Sequence, residues 1–155
     1  MKKLFIMIMA LMTACCLMAG CGGGEKKAAA PAEKILKVGT EPSFAPFEFQ
    51  KEGTKELTGF DIDIINAIGK RMGYKVQVSN MGFDGLIPAI QAGNLDVAIS
   101  GFSITEERKK VITFSDSYYT SGLVIVVNKD NNTIKSLKDL EGKRIGVQIG
   151  TTGEA

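Results

Sequence analysis

The chain contains no histidine, and its three cysteines, Cys15, Cys16 and Cys21, all lie near the N-terminus. Ser-His-Asp and Cys-His nucleophilic arrangements therefore cannot be built, and, once Cys15 and Cys16 are cleaved away and Cys21 is acylated as argued below, common zinc sites lack their nitrogen and sulfur ligands. Carboxylate and lysine chemistry remain formally open. Asp61 and Asp63, in GFDIDI, invite a metal or paired-carboxylate reading. Two residues apart on a predicted helix, they do not share a face, and Asp61 is better read as the helix cap. No metal and no cofactor are expected. Arg108, in SITEER, offers a planar guanidinium able to hold a carboxylate through two parallel, charge-assisted hydrogen bonds. These residue types make binding a better starting hypothesis than catalysis.

The N-terminus carries an address. Lys2 and Lys3 precede the apolar run Leu4–Met12, and small residues follow before Cys21, the layout of a secretory signal over residues 1–20. The run is shorter than the roughly 20 apolar residues of a membrane span. Leu17-Met18-Ala19-Gly20-Cys21 resembles a bacterial lipobox, which implies cleavage before Cys21 and acylation of its thiol. The protein is then expected outside the cytoplasmic membrane and lipid-anchored to it, with no disulfide and a fold held by its core alone. Residues 21–34 are small, charged and poor in bulky apolar side chains, and read as a flexible tether. Without Lys2 and Lys3, the 19 basic residues become 17 and match the 17 acidic ones. No clustered basic face is evident, so a nucleic-acid partner is disfavoured, and a monomer is expected.

From Ile35 onward, strand-like and helix-like patterns alternate. Ile35–Gly39 reads as a strand, followed by a turn at Glu41-Pro42-Ser43. A helix opened by Asp61 carries Ile62, Ile65, Ile68 and Met72 and closes at Gly73. Tyr74, Val76 and Val78 alternate as a second strand. Asp84 is read as the cap of a short helix with Leu86, Ile87 and Ile90, in which Pro88 is tolerated near the first turn. Leu95–Ile99 is a short buried strand, and Ser103 to Glu106 has capping-box spacing before a charged helix. Leu123–Val127, then the helix Ser136–Leu140 and the strand Lys143–Val147, complete the pattern. Such alternation argues for an α/β fold with an open, mostly parallel sheet, whose binding loops gather at the carboxyl ends of the strands. Three loops qualify: Thr40 to Phe44, Asn80 to Phe83 and Ser100 to Arg108.

Five segments, in order, carry a resemblance to a known family: VGTEPSFAPFEF (38–49), LTGFDIDIINAI (57–68), FDGLIPAIQAGNLDVAISGFSITEERKK (83–110), FSDSYYTSGLVIVV (114–127) and KSLKDLEGKRIGVQIGTT (135–152). They resemble the bacterial extracellular solute-binding proteins of family 3, the polar amino-acid binders of ABC importers. The resemblance implies a type II periplasmic-binding-protein fold, two α/β lobes joined by a hinge with the ligand closed between them. Residues 35–122 would be lobe one, 123–127 the hinge strand, and 128–155 the start of a second lobe expected to be incomplete here.

The same resemblance assigns roles. Arg108 corresponds to the arginine that holds the ligand carboxylate. Ser100, Gly101 and Ser103 match the ligand-contacting segment, Ser103 doubling as a helix cap. Phe44 and Phe83 align with aromatics flanking the bound side chain, where a ring can cover an aliphatic stem or a cation. Glu41 stands where Asp is common and could accept hydrogen bonds from an amide, ammonium or guanidinium, which favours glutamine or a basic amino acid. Gln148, Gly150, Thr151 and Thr152 match a lobe-two contact loop whose backbone N–H groups at a helix start favour an anion. The expected function is capture of a polar amino acid and its delivery to an ABC permease, without catalysis. A dehydratase of small carboxylic acids on the same fold, with Glu41 as its acid or base, and the sensor domain of a signalling receptor are the alternatives.

Overall fold

The computed structural model of the chain describes residues 33–155. The targeting segment, Cys21 and nearly all of the tether lie outside those residues. The tether reading to residue 34 runs slightly too far. Glu33 pairs with Lys75 at 3.1 Å, and the Lys34 carbonyl accepts from the Lys75 N–H at 2.7 Å, so the folded body already includes them.

Three parallel strands form the central sheet in the order β5-β1-β6: β1 (Ile35–Thr40) in the middle, β5 (Lys75–Asn80) and β6 (Val97–Ala98) beside it. The register pairs Ile35 with Lys75 through to Thr40 with Asn80, and Val38 with Val97. All three strands therefore end at one edge. Alternation along β1 turns Leu36, Val38 and Thr40 inward. Leu36 and Val38 pack with Ile65 and Ile99 to form the core. At Gly39 a methyl group would collide with the side chains of Leu95 and Leu86, so this strand position depends on glycine.

Helix α1 (Phe60–Met72) buries Ile62 and Ile65 and ends at Gly73 in the left-handed region (φ 73°). The Gly73 stop agrees with the sequence reading, as does the burial of Ile62 and Ile65, but Ile68 and Met72 are exposed, and the N-terminus differs. Gly59, not Asp61, is the N-cap, with no side-chain cap bond; Asp61 is one residue inside the helix and fully buried. Asp63 is exposed. Helix α2 (Phe83–Gln91) is likewise capped by Gly82 rather than Asp84, and Pro88, its sixth residue, lies beyond the first turn. Pro88 has no N–H to donate to the Asp84 carbonyl, so that bond is lost in a helix of only nine residues. Helix α3 (Glu106–Lys109) is capped by Thr105, whose hydroxyl accepts from the Arg108 N–H at 3.2 Å; Ser103 is not the cap.

Between β1 and α1 lies a small antiparallel sheet unforeseen in the sequence: β2 (Ser43–Phe44), β3 (Glu48–Gln50) and β4 (Leu57–Thr58). Leu123–Val127 and Lys143–Val147 are not strands among the described residues. Leu123, Val124 and Val126 are largely exposed; no described strand pairs with them, and a strand without a partner leaves its backbone to water. Ser136–Leu140 becomes a single 3₁₀ turn, Leu137–Leu140, fixed by a Ser136–Asp139 capping box. The Lys135 and Ser136 N–H groups and the Ser136 hydroxyl donate to the Asp139 carboxylate and hold its pKa below the usual value.

Candidate ligand-binding site

The common carboxyl edge of β1, β5 and β6 brings together the loops that start at Glu41, Met81 and Ile99. Their junction is a chain of hydrogen bonds. The Glu41 N–H donates to the Ser100 hydroxyl at 3.0 Å, and that hydroxyl donates to Glu48 Oε1 at 2.7 Å. The adjoining Gly101 N–H donates to Asp61 Oδ2 at 2.8 Å, and the Tyr118 hydroxyl donates to Asp61 Oδ1 at 2.9 Å. Gly101 takes φ 54°, and a side chain there would press on the Phe44 ring at 3.1 Å, so glycine suits both the backbone and the close approach.

Glu48 and Asp61 are thus the carboxyl groups on which the loop is built, each 1% exposed or less. Burial pushes the Glu48 carboxyl up to about 8, with the neighbouring Asp61 and Glu41 carboxylates adding to the rise and the Ser100 hydroxyl opposing it. Burial and Asp61 likewise hold the Tyr118 phenol above its ordinary value. The sequence reading missed Glu48 and Tyr118 and took Asp61 for a cap. The available signal was Glu48 itself, an acid between Phe47 and Phe49 at a position turned inward.

Arg108 extends from α3 across two stacked rings. Phe83 and Phe102 lie 4.5 Å apart, and the guanidinium carbon sits 5.5 Å from the first centroid and 5.2 Å from the second. Nη1 donates to the Ser103 carbonyl and Nη2 to the Gly150 carbonyl, both at 2.8 Å. Burial lowers the Arg108 pKa, yet a guanidinium remains charged. Both terminal nitrogens are therefore spent on neutral acceptors, which a carboxylate can replace with charge-assisted bonds.

Phe44 belongs to a different aromatic group. It stacks on Phe47 (5.5 Å, 15°), which meets Tyr119 edge-on at 4.9 Å, with Phe60 and Tyr118 alongside. Glu41 Oε2 accepts from the Ser43 hydroxyl at 2.7 Å and from Gln148 Nε2 at 3.3 Å, so Gln148 does approach the first loop. Thr151 and Thr152 are half-buried. The Thr151 hydroxyl donates to the Gln148 carbonyl at 2.7 Å. The Gly150 N–H donates to the Glu154 carboxylate at 2.7 Å.

The family model of the bacterial extracellular solute-binding proteins, family 3, matches residues 36–150. The chain belongs to that family. Among curated relatives, the arginine-binding extracellular protein ArtP of Bacillus subtilis is 40% identical over 154 residues, covering 99% of this chain and 58% of its own length. A probable histidine-binding protein of Campylobacter jejuni is 43% identical over 119 residues, covering 77% of this chain and 46% of its own. Among solved structures, an ancestral arginine-binding protein bound to arginine aligns with a TM-score of 0.75 and 54% identity, over 79% of this chain and 54% of that one. The chain therefore spans about half the length of the relatives it matches, and these relatives are named for binding rather than for catalysis. Family membership also gives the fold class its name, the type II periplasmic-binding-protein fold.

Proposed function

We propose that residues 35–122 form the first jaw of an extracytoplasmic amino-acid receptor that closes with a second lobe over its ligand and delivers it to an ABC permease. The observation that carries this reading is Arg108, which rests on Phe83 and Phe102 with both terminal nitrogens facing exchangeable carbonyls. A ligand carboxylate taking those two nitrogens gains about 1.5–3 kcal/mol per charged hydrogen bond, against roughly 0.5–1.5 for the neutral bonds it displaces. Gly101 and Ser103 line the approach. Glu41, which already accepts from a hydroxyl and an amide, is suited to a donor at the far end of the ligand. Phe44 and Phe83 cover the ligand's stem, and Gln148, Thr151 and Thr152 face it from the second lobe. Glutamine or a basic amino acid fits this donor-seeking carboxylate, and relatives named for arginine and histidine support the basic choice. Acylation of Cys21 would anchor the receptor to the membrane beside its permease.

Calorimetry on the polypeptide carrying both lobes, with L-arginine, L-histidine, L-lysine and L-glutamine, tests the reading. Saturable binding of one or a few of these, abolished by Arg108→Ala, is expected. Unchanged affinity in that variant would overturn the assignment.

A further inference from the structure

The base of the site contains an unbalanced set of hydrogen bonds. Glu48 and Asp61 bring four carboxyl oxygens into a region closed to water. Three have donors: the Ser100 hydroxyl on Glu48 Oε1, the Gly101 N–H on Asp61 Oδ2 and the Tyr118 hydroxyl on Asp61 Oδ1. The fourth, Glu48 Oε2, is buried with no partner among the described residues. Among the described residues, the titratable groups facing Glu48 are Asp61 from α1, Glu41 from the loop after β1 and the phenol of Tyr118, and none is a cation. Two buried carboxylates without a cation repel one another and lose their hydration, and a single retained proton relieves both costs.

We propose that Glu48 and Asp61 are positioning residues, Glu48 carrying a proton beside Asp61, and that this proton keeps the Ser100–Gly101 loop in its binding geometry. A proton on Glu48 Oε2 removes the second negative charge beside Asp61 and leaves Oε1 free to accept from Ser100. Ser100 in turn holds the Glu41 amide, while Asp61, with both oxygens occupied, holds the Gly101 amide. Two ligand-facing loops are thus pinned by one acid pair that does not touch the ligand. Loss of the proton places a second negative charge against Asp61 and loosens both loops. Burial pushes the Glu48 carboxyl up to about 8, which puts the expected transition on the alkaline side of neutrality.

The loop-fixing part stands on the contacts above; its effect on binding rests on the receptor reading. Carbon-13 NMR of the Glu48 carboxyl, with amide hydrogen exchange at Glu41 and Gly101 corrected for intrinsic rates, tests the first part without any ligand. Between about pH 7 and 9 the carboxyl should titrate and both amides should lose about tenfold in protection, the fall in protonated fraction of a group titrating near 8. Glu48→Gln, which cannot ionise, should abolish the transition, and Asp61→Asn should move the Glu48 midpoint downward. A Glu48 midpoint in the ordinary carboxylate range, or protection independent of it, overturns the proposal, and the wild-type titration alone decides this if a variant fails to fold. Calorimetry with L-arginine on the two-lobed protein then separates the readings. An alkaline fall in affinity present in the wild type and absent in Glu48→Gln supports both. Absence of binding at every pH, with the NMR transition intact, rejects the receptor and retains the proton.

Discussion

The buried acid at Glu48 makes the stability of this domain depend on pH in a direction opposite to that of most carboxylates. Its ordinary value is 4.5 and its value in the fold about 8, so between those limits the native state holds a proton that the unfolded chain releases. Stability from this group is fully present below about pH 4.5 and is lost as pH rises to about 8. The slope is about −1.4 kcal/mol per pH unit within the window, which bounds the total at roughly 5 kcal/mol. Relaxation and water entry will reduce it to a few. Urea unfolding at pH 5, 6.5 and 8 measures the effect, since with an m-value of about 1–3 kcal/mol per molar a loss of about 3 kcal/mol moves the midpoint by about 1 M or more. The difference between wild type and Glu48→Gln isolates this residue from the other titrating groups. Parallel curves for the two proteins, within about 0.5 kcal/mol, would refute the reasoning.

Three further substitutions probe other parts of the account. Arg108→Lys keeps the charge but replaces a planar fork resting on two rings with a point charge; a loss of about 2 kcal/mol, some thirtyfold in L-arginine affinity by calorimetry, is expected. Gly39→Ala drives a methyl group into Leu95 and Leu86 and should cost about 1–3 kcal/mol in denaturant unfolding. Tyr118→Phe removes the donor to Asp61 Oδ1 and should destabilise by about 1–3 kcal/mol, the penalty of an unsatisfied partner, with the Glu41 and Gly101 amides exchanging faster.

Elements with a strong period were legible in the sequence. β1 and β5 turn side chains inward at their expected spacing, α1 buries Ile62 and Ile65 of its expected face, and Gly73 stops α1 because a left-handed residue closes that turn. From these the gathering of the three loops follows. The β2–β4 sheet was not legible, because strands of two or three residues are too short for alternation to show. Asp61 illustrates a different limit. An acid at the start of a helix ordinarily caps it, but here Gly59 takes that position and the Asp61 side chain reaches residues 40 and 57 positions away in sequence. Glu48 shares that limit, since its partner Ser100 lies 52 residues off. Arg108 was identified through its motif, whereas Phe102 beneath it was not, because an aromatic beside a loop glycine carries no sign of which side chain it supports. At Leu123–Val127 the apolar, β-branched run has strand propensity, but propensity does not supply the neighbouring strand that pairing requires.

A crystal structure of the two-lobed protein with bound L-arginine examines the central claim most directly. The ligand carboxylate should sit on Arg108 Nη1 and Nη2 at about 2.7–2.9 Å, in place of the Ser103 and Gly150 carbonyls. A ligand carboxylate held elsewhere, with both of those carbonyls still on Arg108, would contradict it.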